Sequence, residues 1–313
     1  MVISKPSVQM LTVSENAHGQ RLDNFLFTAF KSVPKSLIYK NIRTGNIRVN
    51  KKRCKPEQKL QSGDMLRIPP FRQAEKIQLK PDIRWVNLLK QRIIYEDEHL
   101  LAINKPAGLA AHSGSGIAYG VIEVLQQTFP EQKFLQLAHR LDRDTSGCLL
   151  IAKNRTILLE LQNLFRSNKI KKIYWALTKG RWKTEACRVS LPLYKNINQS
   201  GERMVKVVET GKEAITDFKV IQNFGVVSLM EVSLKTGRTH QIRVHAAESQ
   251  HPLAGDEKYG DKDFNKLMHH IGLKRLFLHA ARLEFSLVSL GKTFLIQAPL
   301  EIDLQRVLQN LEK

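Results

Sequence analysis

Between two apolar runs, Phe134-Leu-Gln-Leu-Ala and Cys148-Leu-Leu-Ile-Ala, the chain places the stretch His139-Arg-Leu-Asp-Arg-Asp-Thr-Ser-Gly. Short apolar runs bounded by polar residues read as buried strands, so the charged stretch has to turn at the rim of a sheet. Arg140, Asp142, Arg143 and Asp144 fall within five consecutive positions. Ions this close to a core are costly unless they pair with one another or the rim is a site that uses them. A solvated, self-paired connection is the ordinary outcome for a polar loop. The remaining sequence decides between that outcome and a site.

Length and charge narrow the classes. A chain of 313 residues has room for one large core and a small additional domain. Its hydrophobic and charged fractions, 42% and 25%, are ordinary for a globular protein. The net charge is not: 50 Lys and Arg against 29 Asp and Glu leave +21. Such an excess suits a polyanion, because basic side chains near phosphates release condensed counterions. No apolar run approaches the roughly 18 residues of a membrane helix, and the first residues lack the apolar core of a secretion signal. A cytoplasmic protein without membrane contact is therefore expected. Cys54, Cys148 and Cys187 are odd in number and widely spaced, which fits reduced thiols rather than a disulfide framework or a zinc site.

The basic charge is concentrated at the N-terminus, where residues 1–75 hold 14 Lys or Arg against 5 Asp or Glu. From Arg21, the spacing of Leu22, Phe25, Leu26, Ala29 and Phe30 predicts an amphipathic helix that Pro34 breaks. A second helix is expected from Ser36 to Gly45, then a strand at Asn46-Ile-Arg-Val-Asn, a basic turn at Lys51-Lys-Arg and a strand ending at Ile68. Two helices followed by this basic hairpin resemble an S4 domain, a small RNA-binding module. Residues 76–91 read as a linker that docks through Trp85, Leu88 and Leu89. A second domain, residues 92–313, opens with two short strands around a charged turn and stops at Lys105-Pro106 and Gly108.

Helices are expected at 121–129 and 158–165, flanking the charged stretch, from the spacing of their apolar residues. Gly114-Ser-Gly-Ile-Ala-Tyr-Gly is not a dinucleotide loop, because its third glycine is one position late and no long apolar strand leads into it. Lys171-Lys-Ile-Tyr-Trp-Ala-Leu-Thr-Lys reads as a strand with Tyr174 facing away from Ile173, Trp175 and Leu177. Residues 181–216 carry little periodicity. Beyond them, Thr-Gly-Arg238-Thr-His240-Gln-Ile-Arg243-Val-His follows a strand and should open a helix with Thr239 as its N-cap. Its cations are placed to receive a phosphate at the helix start.

His-Arg-Leu-Asp-x-x-Thr-Ser-Gly is similar to the signature of the RluA-type pseudouridine synthases. The segments around Tyr174, Arg243, His251 to Gly260 and Leu278 resemble further motifs of that family, so the likeness covers essentially the whole chain. It implies an isomerase that turns uridine into pseudouridine, here in ribosomal RNA of the large subunit. Asp142 would be the catalytic carboxylate, Tyr174 would lie against the uracil, and Arg243 would pair with Asp142. Arg140 would fill the space left by an extruded base, Leu278 would floor the pocket, and His139, Arg238 and His240 would contact the substrate. The chemistry calls for no metal, redox partner or other cofactor, and a monomer is expected. The fold expected is α+β: a small S4-like domain over residues 1–75, then a catalytic domain with a mixed, largely antiparallel sheet flanked by helices.

Other readings make their own demands. A non-catalytic RNA-binding assembly factor accounts for the charge but gives no reason to keep Asp142, Tyr174 and Arg243 together. A zinc deaminase needs a His-x-Glu and Cys-x-x-Cys pattern that the chain lacks. A glycosidase or nucleosidase needs two carboxylates, for which Asp142 and Asp144 are the candidates. A synthase of the same family acting on other ribosomal or transfer RNA sites shares every motif.

Overall fold

The computed structural model describes residues 8–30, 33–71, 81–114, 117–197 and 203–313. The chain divides into two compact units, residues 1–79 and 80–313.

In the first unit, β1 (Gln9–Thr12) precedes α1 (Leu22–Ala29) and α2 (Lys35–Arg43), and β2 (Arg48–Val49), β3 (Lys52–Arg53) and β4 (Met65–Ile68) follow. The strands form one sheet in the order β1-β4-β2-β3, antiparallel throughout. The helices form where the apolar spacing placed them, and Leu22, Leu26, Ile38 and Ile42 bury against Ile47, Val49, Leu66 and Ile68. Gly45 ends α2 with φ 75°, the left-handed conformation that glycine adopts without a Cβ penalty. The strand expected over 46–50 is only two residues long, because Asn50 and Lys51, both with positive φ, form the tight turn that returns the chain into β3.

The second unit begins with α3 (Ile83–Gln91), β5 (Ile93–Glu96), β6 (Leu100–Lys105), α4 (Val121–Thr128), β7 (Gln136–Leu137), β8 (Ser146–Ala152), α5 (Arg155–Arg166) and β9 (Lys171–Lys179). It continues with β10 (Ala186–Ser190), β11 (Leu193–Ile197), β12 (Arg203–Val207), β13 (Ile215–Asn223), β14 (Val227–Leu234) and α6 (Gln241–Glu248). It closes with α7 (Lys262–His270), β15 (Leu278–Leu287), β16 (Lys292–Gln297) and α8 (Ile302–Leu311). A ten-stranded sheet runs β10-β13-β14-β9-β15-β8-β6-β5, with β16 on β15 and β7 on β8, while β11 and β12 form a separate hairpin. Every pairing in the large sheet is antiparallel except β8 with β15. This is the α+β, mixed and largely antiparallel fold expected.

The apolar runs beside the charged stretch are buried on both faces. Leu101, Ile103, Leu149 and Ile151 pack with α3 and α4, whereas Leu100, Ala102, Cys148 and Leu150 pack with α5. Continuous rather than alternating hydrophobicity follows from that two-sided burial. The start of the stretch read as a linker, residues 76–80, lies outside the described residues. Over 83–91 it is a helix, because Val86 and Leu89 supply an apolar stripe that closes over Val121, Val124 and Leu125. Gly147 sits where β8 meets β15. Its φ is 112°, and an added Cβ would lie 2.2 Å from the Ala280 carbonyl oxygen, so no larger residue fits there.

Candidate active site

The 139–147 stretch turns at the rim between β7 and β8, and three groups hold it there. Lys105 ends the buried strand β6, and its ammonium donates to the carbonyls of Pro106, Leu109 and Arg143 at 2.8, 2.9 and 3.0 Å. Burial drives its pKa down to about 7, although the carboxylates of Asp144, Glu301 and Asp142 pull the other way. The Gly108 amide donates to the same Arg143 carbonyl at 2.8 Å, and the Thr145 amide to the Asp142 carbonyl at 3.2 Å. At the start of the stretch, His139 Nε2 accepts the Leu150 amide hydrogen at 3.1 Å and its ring stacks on Phe165. Loss of hydration, with Lys172 nearby, lowers the His139 pKa to about 3, so the ring is neutral and its proton is on Nδ1. His139 lines the cleft, and the Leu150 amide and the Phe165 ring fix the orientation of its imidazole.

Above this rim lies a cleft of about 450 Å³. All eight residues singled out from the sequence line it: His139, Arg140, Asp142, Tyr174, Arg238, His240, Arg243 and Leu278. They come from the rim, from β9, from the turn before α6, from α6 itself and from the first residue of β15. Asp142 is the one carboxylate among the lining residues, which also include Arg140, Arg166, Lys172, Arg238 and Arg243. Asp144 faces elsewhere and pairs with Arg143 at 3.1 Å. The two-carboxylate arrangement of a glycosidase is therefore not assembled.

Arg243 departs from expectation. Its guanidinium binds Asp256 through two hydrogen bonds of 2.7 and 2.6 Å, not Asp142. Burial raises the Asp256 carboxyl, but those bonds, the Arg243 charge and the amides of Tyr259 and Lys258 outweigh it and hold the group below the ordinary carboxylate range. The two side chains are 8% and 1% exposed, so each charge depends on the other. Arg243 still acts on Asp142 through space: burial lowers its pKa, and the charges of Asp256 and then Asp142 lift it above the ordinary value. Asp256 was not singled out as a site residue. It lies in the Gly-Asp-x-x-Tyr-Gly segment, whose glycines and aspartate were a signal available in the sequence.

His240 faces Asp142, with Nε2 3.8 Å from Oδ2. Thr239 is not the helix cap. His240 occupies that position with φ 53° and ψ 18°, because the Gln241 carboxamide accepts the Arg238 amide hydrogen and donates to Ile215 and Thr216, which delays entry into α6. A left-handed non-glycine residue costs about 1–3 kcal/mol, and here it aims the imidazole at the rim. His240 Nδ1 lies 2.8 Å from the Tyr259 hydroxyl, which already accepts the Val205 amide hydrogen. That pattern assigns the Tyr259 hydrogen to Nδ1 and the imidazole proton to Nε2, facing Asp142. Burial lowers the His240 pKa against the pull of Asp142, with Arg243 and Lys258 adding to the lowering.

Tyr174 faces the cleft from β9, as its position in the strand implied, and its hydroxyl has no hydrogen-bond partner among the described residues. Burial, then the Asp142 carboxylate, pushes the phenol well above its ordinary pKa, so it keeps its proton at neutral pH. Leu278, 4% exposed, packs with Ala176 and Ile242 and supplies an apolar wall. Arg140 is exposed, with no hydrogen bond or ion pair among the described residues, while Arg238 holds the Glu213 carbonyl at 3.1 Å.

An ion-lined cleft with one carboxylate, a phenol and an apolar wall, set on a mixed sheet in a chain that also carries a basic N-terminal unit, defines a class of RNA-modifying enzyme. Residues 99–248 match the family model for RNA pseudouridylate synthase and residues 20–66 the S4 domain model. The chain belongs to the RNA pseudouridylate synthases and is an isomerase of that family. It is 48% identical to ribosomal large subunit pseudouridine synthase C of Escherichia coli (strain K12) over 315 residues, 99% of each chain. It is 47% identical to the protein of the same name from Pasteurella multocida over 309 residues, 98% of this chain and 95% of the relative. Among solved structures it is similar to human RNA pseudouridylate synthase domain containing 4, with a TM-score of 0.61 and 25% identity over 72% of this chain and 95% of that one.

Proposed function

We propose that the protein converts particular uridines of large-subunit ribosomal RNA into pseudouridine, with Asp142 as the catalytic carboxylate. The observation that carries the reading is the isolation of Asp142: a single carboxylate in a cleft whose other ionisable lining residues are cations, two histidines and a tyrosine. The relatives' names supply the substrate class. A membrane is not needed for it: among the described residues no helix is long and apolar enough to cross one. The cytoplasm, where ribosomes are assembled, is the compartment this substrate requires.

The reaction breaks the bond between N1 of uracil and the ribose C1′, rotates the base while it is held and joins C5 to C1′; the C5 hydrogen leaves as a proton and N1 ends protonated, so the product is an isomer of the substrate. An ionised carboxylate against the sugar can act as nucleophile at the developing electrophile or stabilise its charge. His240 Nε2 lies 3.8 Å from Asp142, and Arg243, held by Asp256, lines the same cleft. Tyr174, keeping its proton, offers a flat face to the base and a hydrogen-bond donor to a uracil oxygen, a narrower role than a phenol free to act as acid or base. The target base must leave its helix to reach Asp142, and the unpaired, exposed Arg140 is placed to occupy the vacated stack. Mapping pseudouridine across ribosomal RNA from cells with and without the gene tests this reading. Loss of pseudouridine at defined large-subunit positions is expected, and an unchanged map would overturn it.

A further inference from the structure

Lys172 lies on β9 two residues before Tyr174, on the same face of the strand, and lines the same cleft. Only 5% of it is exposed. Its ammonium nevertheless has no hydrogen-bond or ion-pair partner among the described residues, in a protein whose other deeply buried lysine, Lys105, is held by three carbonyls. Its stem is packed, but the ammonium itself is not among the buried atoms without a partner, so it opens into the cleft with no protein counterion beside it. Burial, then the nearby charge of Lys235, depresses the Lys172 pKa, so the surroundings supply like charge rather than a counterion. Arg166, Arg140 and Arg238 line the same cleft. The anion this wall lacks has to come with the substrate.

We propose that Lys172 is a substrate-binding residue that receives a phosphodiester of the flipped nucleotide inside the cleft, while Tyr174 on the same strand face takes the base. The proposal rests on the reading of the cleft as an RNA site. RNA carries one class of anion, its phosphates. A lysine reached only through the cleft selects a phosphate that has entered with the extruded base, not one on the helix outside. Placed two residues from Tyr174, such a contact would fix the ribose between its phosphate and its base, which is where Asp142 has to act.

The test uses the full chain as wild type, Lys172→Met, Lys172→Arg and, as a control, Lys171→Met. Lys171 is exposed and paired with Glu284 at 3.3 Å, outside the cleft. Affinity for a large-subunit ribosomal RNA transcript is measured across a salt series, with thermal midpoints alongside. Lys172→Met should weaken binding several-fold at low salt and flatten the log–log salt slope by about 0.7, the share of one single-strand phosphate. Lys172→Arg should keep the slope, and Lys171→Met should leave slope and affinity alone. The midpoint of Lys172→Met should stay within about 2 °C of the wild type, since Met keeps the packed stem and the ammonium faces the cleft rather than a protein partner. A wild-type slope in Lys172→Met, or a lowered midpoint showing that the ammonium is structural, overturns the proposal. Pseudouridine yield of the wild type on the same transcript is scored separately: absence of product would count against the enzymatic reading and leave the binding comparison intact.

Discussion

Replacing Asp256 by Asn tests how the cleft keeps its cation in place. Asp256 Oδ1 accepts from Arg243 Nη2 and from the Lys258 and Tyr259 amides, and Oδ2 accepts from Arg243 Nε. Four donors converge on two oxygens, so either orientation of an Asn carboxamide turns its NH₂ group towards at least one other donor, and the Arg243 charge loses its counterion. Breaking a pair this buried costs about 3–5 kcal/mol. For a domain of this size each kcal/mol moves the midpoint by about 2–4 °C, so Asp256→Asn should lower it by about 6–20 °C. Circular dichroism melts at neutral pH give the number. The gap should also narrow in acid. The native Asp256 pKa is lowered, so its stabilisation is full above the unfolded carboxyl pKa and is lost as pH falls through the native value. A midpoint within about 2 °C of wild type at neutral pH would refute the claim that the two charges depend on each other.

Three further outcomes follow from the same geometry. Tyr174→Phe keeps the ring and loses the hydroxyl; RNA binding should stay within a few-fold while turnover falls by roughly 3–10-fold, the worth of one hydrogen bond, and a fall of about 10²–10⁴ would show instead that the phenol transfers a proton. A chain beginning at Pro81 should fold and keep the cleft, with weaker RNA binding and a salt slope flattened by roughly 0.7–0.9 for each phosphate that the removed residues had neutralised. One beginning at Arg92 should be less stable by about 3–6 kcal/mol, because it lacks the buried Val86 and Leu89, and equal denaturation midpoints for the two chains would contradict the place given to α3. Finally, His139 and His279 have native pKa values lowered to about 3 and about 4 from 6.5, chiefly by burial. Unfolded histidine takes up its proton first, so stability should be full above pH 6.5 and decline as pH falls towards 4; urea midpoints for His279→Gln should decline less steeply over that interval.

The chain order of strands and helices was legible because the period of the hydrophobic pattern differs between Leu22–Phe30 and Lys171–Lys179, and because both-face burial left β6 and β8 continuously apolar. The cleft residues were legible through the resemblance of their motifs to those of a known family. Their partners were not. Arg243 meets Asp256 only because a loop folds back under α6, and nothing local in either segment fixes that pairing. His240 adopts a left-handed conformation because Gln241 ties down Arg238, a tertiary effect that cap propensity for Thr239 does not include. Lys172 read as one more basic residue of a basic chain until the strand placed it beside Tyr174, and Lys105 as the end of a strand until its three carbonyls came into view. Within 181–216, which carries little periodicity, the described residues form the short strands β10, β11 and β12.

The role of Asp142 is tested most directly by quantifying pseudouridine formed in large-subunit ribosomal RNA by the wild type and by Asp142→Asn and Asp142→Ala, with RNA affinity measured in parallel. Phosphate contacts elsewhere supply most of the affinity, so both variants should bind within a few-fold of wild type and form no detectable pseudouridine. Full activity in Asp142→Ala would contradict the account.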